Sequence, residues 1–268
     1  MHDLWPLAEA AAATGGRPEK LSEGPLHSVS IDSREIEPDA LFVAIKGDKL
    51  DGHDYVAAAL AAGAGAALVS EAWFKIHGGE RLIVVADPLE GLRALGRAAR
   101  ARSKAVIVAV TGSAGKTTTK EAIRTVLAAA GQTHYSIKSF NNHWGVPLTL
   151  ARMPREAQFG VFEIGMNHAG EITPLTQLVR PHIAVVTTVA AAHLEFFKSI
   201  TEIAEAKAEI FLGVEPGGTA VLNADHDYVH VLFTKARQAG IEHITTYGYD
   251  EEADYVIGQP ATAGARTF

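Results

Sequence analysis

A chain that carries Thr111-Gly-Ser-Ala-Gly-Lys-Thr-Thr-Thr119 between an apolar run at residues 105–110 and a helix-forming run at 117–130 has few folds open to it. The apolar run has strand length, and Gly131 closes the helix that follows. Glycines at 112 and 115 let the backbone curl so that successive N–H groups point inward, and the helix N-terminus adds its positive dipole end. Such a loop attracts a polyphosphate of the ATP type. Lys116 is placed to reach the β- and γ-phosphates and Thr117 to ligate Mg²⁺, with Ser113, Ala114 and Thr118 completing the cradle. The longer form of this pattern opens with a glycine where the chain has Val110. The competing reading is a glycine-rich turn with an exposed lysine; the flanking strand and helix favour phosphate.

The rhythm around the loop predicts an α/β fold. Residues 159–164, 183–189 and 219–222 are further near-continuous apolar runs rich in Val and Ile, with helical stretches at 172–178 and 202–214 between them. Continuous apolar strands alternating with helices indicate a mainly parallel sheet covered on both faces. Strands are also expected at 243–247 and 254–257. The last residues bring no closing element, which reads as a domain incomplete at its C-terminal end. Ahead of residue 103 lies a different block: short apolar runs at 40–45, 66–69 and 81–85, with helices at 54–62 and 89–102. The expected division is a small mixed α/β domain over 1–102 and a central phosphate-loop domain over 103–268.

Composition narrows the classes. The 268 residues are 47% hydrophobic and 21% charged, enough for two ordinary globular domains. A net charge of −7 disfavours a dedicated nucleic-acid surface, and the absence of cysteine rules out disulfide scaffolds and thiolate metal sites. No apolar run approaches the length of a membrane span, and no signal peptide is visible, so a cytoplasmic protein without a membrane partner is expected.

Ligands of open α/β sheets bind beyond the carboxyl ends of the strands. Glu163 falls there, suited to Mg²⁺ or else a solvated strand end; His193 falls after the next run, as a metal or water ligand or a structural residue. Ser199-Ile-Thr-Glu202 is a capping box, so a helix starts there. On it Ile203, Ile210 and Val214 form one stripe with Lys207 near the middle, while Glu205 and Glu209 lie opposite. A lysine among apolar neighbours must snorkel, find an anion, or change its chemistry. Asn141-Asn-His-Trp-Gly145-Val-Pro147 is a turn-rich segment, able to touch ligand or serve as a plain loop.

Taken in order, the loop through Glu121, Asn141-Asn142-x-x-Gly145-Val-Pro-Leu-Thr-Leu150, Glu163-Ile-Gly-Met-Asn-His-Ala-Gly-Glu-Ile172, Ala192-His-Leu-Glu195, Ile203-Ala-Glu-Ala-Lys-Ala-Glu-Ile210 and Val221-Leu-Asn-Ala-Asp225 closely resemble the Mur ligases of bacterial peptidoglycan synthesis. Ser30-Ile-Asp-Ser-Arg34, Leu41-Phe-Val-Ala-Ile-Lys-Gly47 and Asp51-Gly-His-Asp-Tyr55 resemble the UDP-binding N-terminal domain of that family.

The resemblance implies an ATP-dependent, Mg²⁺-requiring amide ligase, most similar to the type that joins D-alanyl-D-alanine to a UDP-N-acetylmuramoyl-tripeptide, and acting as a monomer. In such ligases the peptide carboxylate attacks the γ-phosphate, ADP leaves, and the amine displaces phosphate from the acyl phosphate through a tetrahedral intermediate. The family assigns Lys116 and Thr117 to phosphate and metal, and Glu163 and His193 to Mg²⁺. It places Asn142 near nucleotide and metals, and Ser33, Arg34, Lys46 and Gly47 near the UDP moiety. Its counterpart of Lys207 is carbamylated, an anion that helps hold a second Mg²⁺. Where the family has Thr-Asn before His-Leu-Glu, this chain has Thr187-Thr188. The family also continues into a further domain that closes over ATP, so these 268 residues are expected to bind more readily than they turn over. Alternatives are another ligase of the same pathway, a generic phosphate-loop ATPase or kinase, and a binding module without turnover.

Overall fold

The structure, a computed structural model, describes residues 3–191 and 195–258 and the backbone of 262–263 and 266–267. Its contacts group the chain into two compact units, residues 1–106 with 124–162, and residues 107–123 with 163–268.

The first unit opens with β1 (Trp5–Pro6), α1 (Leu7–Thr14), β2 (Arg17–Glu19), β3 (Pro25–Leu26), β4 (Ser28–Ser30) and β5 (Ala40–Val43). It continues with α2 (Val56–Ala61), β6 (Ala66–Ser70), α3 (Glu71–His77), β7 (Leu82–Val85) and α4 (Pro88–Arg102). Five strands form a sheet in the order β2-β7-β6-β5-β4, parallel except where β2 runs against β7. Because a strand sends successive side chains to opposite faces, this sheet has two cores. Leu41, Val43, Leu68 and Ile83 pack on one face with Leu92, Leu95 and Ala99 of α4, spaced to share one side of that helix. Phe42, Ala67, Val69 and Val84 pack on the other with Val56 and Ala59 of α2. Asp87 starts α4 by accepting from the Leu89 N–H at 2.8 Å, and Pro88 occupies the first turn, where its missing N–H costs nothing.

The chain then runs β8 (Val106–Thr111), α5 (Lys116–Ala130), β9 (Thr133–Tyr135), α6 (Gly145–Ala151), β10 (Phe159–Glu163), α7 (Ile172–Val179) and β11 (Ile183–Val186). After it come α8 (Ile200–Ala208), β12 (Thr219–Asn223), α9 (Val229–Gln238), β13 (His243–Gly248) and β14 (Tyr255–Val256). Seven of these strands form a sheet ordered β14-β13-β12-β11-β8-β10-β9, mainly parallel. Ile107, Val108, Ala109 and Val110 are all buried, as a strand covered on both faces requires. The α/β class and the mainly parallel sheet are as the sequence predicts. Among the described residues no helix is long and apolar enough to cross a membrane.

Two local differences matter. The segment that reads as turn enters a helix at Gly145, and every residue of α6 is buried. Pro147 is tolerated because it falls in the first turn. The long helix expected over 202–214 ends at Ala208 and tightens into a 3₁₀ turn, Glu209–Gly213. Glu209 is drawn off the solvent face: its carboxylate accepts from Gly170 N at 2.6 Å, Thr173 N at 3.0 Å and the Thr173 hydroxyl at 2.9 Å, satisfying the start of α7.

Candidate functional site

The loop between β8 and α5 is held in one shape by its backbone and by Thr187. Gly112 and Gly115 take φ of +155° and +79°, conformations closed to most L-residues. A Cβ on Gly112 would drive into the Thr187 hydroxyl, so the close approach also demands glycine. Thr187 lies just past β11. Its N–H and hydroxyl reach Thr111 O at 2.9 and 3.2 Å, and the hydroxyl meets Ala114 O at 2.6 Å. Thr187 O in turn accepts from Asn223 Nδ2 at 2.9 Å and Tyr247 Oη at 3.3 Å. Ser113 adds a second fastening: its N–H donates to Thr188 O at 2.8 Å, and its hydroxyl donates to Ala190 O and accepts from Ala190 N, both at 3.0 Å. Val110 needs no glycine, since it is a fully buried strand residue two positions before the curl.

Lys116 folds across the loop, its Nζ donating to Gly112 O at 2.8 Å. Thr117 donates its hydroxyl to Glu163 Oε2 at 2.9 Å, and Glu163, at the carboxyl end of β10, is only 1% exposed. A buried carboxylate beside a hydroxyl at the head of an anion-binding helix supplies hard oxygen donors, the set that Mg²⁺ takes alongside phosphate oxygens and water. The glycine curl has the shape of an anion site, and the Thr117–Glu163 pair sets oxygen donors beside it. Among the described residues no group of three or more His, Cys, Asp or Glu side chains is placed to hold a metal.

Lys207 is 2% exposed on α8, and among the described residues its ammonium has no hydrogen bond or ion pair. Burial pushes its pKa down to about 7, and the charge of Lys116 pushes the same way. Lys116 is itself lowered by burial, against the pull of Glu163. The Lys116 charge bearing on a buried Lys207 makes a positive potential that an anion would relieve. Ile203 and Ile210 are buried beside Lys207 while Glu205 is exposed. His193 lies outside the described residues. Asn142 belongs to the other unit, where its Oδ1 accepts from Gly145 N at 2.9 Å and caps α6.

Ser33, Arg34, Lys46 and Gly47 line one cavity of about 680 Å³ within the first unit. Its walls include the aromatic side chains of Phe42, Tyr55, Phe140 and Trp144, the last two edge to face at 5.6 Å. Volume and lining suit a small-molecule ligand with a stackable ring. Asp51 and His53 shape the adjacent turn. His53 Nε2 accepts from Ser70 N at 3.0 Å, so Nδ1 carries the proton that meets Asp51 Oδ1 at 2.6 Å.

Sequence reading missed Thr187, Asn223 and Tyr247 as supports of the loop. Asn223 stood within the Val221–Asp225 motif; Thr187 carried no spacing signal beyond its place at a strand end.

A parallel sheet whose central strand opens into a glycine curl, a lysine and a helix defines an anion-binding α/β protein. A Mur ligase middle domain matches residues 110–265, and a Mur ligase family catalytic domain matches residues 25–129. The chain belongs to the Mur ligase family. It is 37% identical over 227 residues to the UDP-N-acetylmuramoyl-tripeptide–D-alanyl-D-alanine ligase of Rickettsia prowazekii, covering 85% of this chain and 50% of that one. To the Escherichia coli ligase of the same name it is 42% identical over 202 residues, 75% of this chain and 44% of that one. The crystal structure of MurF from Acinetobacter baumannii superposes with a TM-score of 0.80 at 31% identity, over 92% of this chain and 54% of the other. MurF ligase from Thermotoga maritima in complex with ADP gives 0.76 at 28%, over 90% and 54%. The chain spans about half the length of the curated relatives it matches.

Proposed function

We propose that this chain serves ATP-dependent amide-bond formation, joining D-alanyl-D-alanine to a UDP-N-acetylmuramoyl-tripeptide through an acyl phosphate. The observation that carries the reading is the loop at 112–117 with Thr117 hydrogen-bonded to a buried Glu163, in a chain whose first unit also holds an aromatic-walled cavity. In this reading the cavity lined by residues 30–55 together with the 138–152 segment binds the UDP-linked peptide, and the loop at 112–117 binds ATP.

Each residue has a defined task. The N–H groups of residues 112–118 and the Lys116 ammonium neutralise the phosphate chain, so that an anionic carboxylate can approach it. Thr117 and Glu163, with His193, hold Mg²⁺, which supplies charge neutralisation at the phosphates when bound. Lys207, shifted toward its neutral form by its burial, is a nucleophile able to take up CO₂. Its carbamate would answer the positive potential beside Lys116 and serve a second Mg²⁺. Ser33, Arg34, Lys46 and Gly47 lie near the UDP moiety. The protein acts as a monomer in the cytoplasm.

Calorimetric titration tests this reading. UDP-N-acetylmuramoyl-tripeptide and Mg·ATP are each expected to bind one to one, the peptide conjugate tighter than UDP alone. Saturable ATP binding with no response to the UDP-peptide would transfer the chain to the generic ATPase class.

A further inference from the structure

The first unit's cavity contains more cations than the motif residues account for. Arg34 is already engaged: its Nε and Nη2 donate to the two oxygens of Asp32 at 2.8 and 2.6 Å, and its own N–H donates to Asp32 Oδ1 at 3.0 Å. That fork-to-fork pair spends two of its five N–H donors and sets its charge against Asp32, whose carboxyl it holds down at about 2. Lys138 faces Glu35 at 3.4 Å. Two cavity cations are different. Lys46 makes no side-chain ion pair or hydrogen bond among the described residues. Arg152, just past the end of α6, spends only its Nε, which donates to Val29 O at 2.6 Å. Its two Nη groups have no hydrogen bond or ion pair among the described residues, although Glu35 and Glu37 act on the charge from farther away. Arg152 lines this cavity and also a second one of about 600 Å³ in the same unit.

A guanidinium fixed through one nitrogen, on a residue that lines a cavity, keeps donors for an oxyanion. We infer that Arg152, with Lys46, grips the diphosphate of a nucleoside diphosphate whose base lies among Phe140, Trp144 and Tyr55. Arg34 instead braces the Ser30–Arg34 turn through Asp32. This rests on the reading of the cavity as a UDP site.

The test is a titration of the chain with UDP and with uridine, each against wild type, Arg152→Met, Arg152→Lys and Arg34→Met. A cation that binds the diphosphate is expected to cost about tenfold or more in UDP affinity when truncated to Met, with uridine affinity held. Arg152→Lys should recover part of the loss, and Arg34→Met should cost less than Arg152→Met. Equal losses for UDP and uridine in Arg152→Met, or a larger UDP loss in Arg34→Met, would overturn the assignment. Should Arg152→Met fail to fold, a crystal structure of the wild type with UDP decides: phosphate oxygens within hydrogen-bond reach of the Arg152 Nη atoms support it, and phosphates held elsewhere overturn it. Wild type that binds neither UDP nor uridine defeats the UDP reading itself.

Discussion

The Thr117 hydroxyl donates to Glu163 Oε2 over 2.9 Å, tying the first turn of α5 to the carboxyl end of β10. The hydroxyl hydrogen points at the carboxylate oxygen, so the lone pairs of the hydroxyl stay available to a cation at the phosphates. Glu163→Gln keeps the size and the hydrogen-bond acceptor but removes the charge. Mg²⁺ should then improve ATP affinity about tenfold less than in wild type, with metal-free affinity little changed. Titrations with Mg²⁺ and with EDTA read this directly.

Gly112 and Thr187 are fitted to each other. Gly112→Ala puts a Cβ into the Thr187 hydroxyl and strains φ, and should destabilise the protein by about 1–3 kcal/mol while weakening ATP binding. In a Thr187→Ala background the clash is relieved, so the same substitution should cost measurably less. Denaturant unfolding of the four proteins gives the coupling; additive costs would show that the contact is not what demands glycine.

How much of this was legible beforehand differs by residue. The phosphate loop was readable because a glycine–lysine pattern sat between segments of opposite periodicity, and Glu163 because strand ends are where such sheets work. Helix α6 was not, since a seven-residue helix buried all round has no amphipathic period, and its Asn-Asn and Gly-Val-Pro punctuation reads as turn. The break at Glu209 is a tertiary event, set by the N–H groups of Gly170 and Thr173, which no window around Glu209 contains. Arg152 is one arginine after a helix; its free donors follow from Val29, far away in sequence.

Lys207 makes stability depend on pH with a definite sign. An unfolded lysine amine titrates near 10.5, whereas the folded one is lowered to about 7. Between those values the unfolded chain holds a proton that the folded chain lacks, so stability rises with pH across the window and the penalty is complete below it. Lys207→Met removes a cost of up to about 5 kcal/mol. Its Tm advantage over wild type should be largest at and below neutral pH and should vanish above about pH 10.5. With isotope-labelled bicarbonate at about pH 8, wild type should show a carbamate carbon resonance that Lys207→Arg lacks.

Phosphorus NMR of Mg·ATP is the most direct test of the loop at Gly112–Thr117. On adding the chain, the β- and γ-phosphate resonances should shift and broaden, and Lys116→Met should largely abolish the effect while leaving the fold intact. Resonances that stay unmoved with wild type in excess, or that respond equally with Lys116→Met, would contradict the assignment of this loop to ATP.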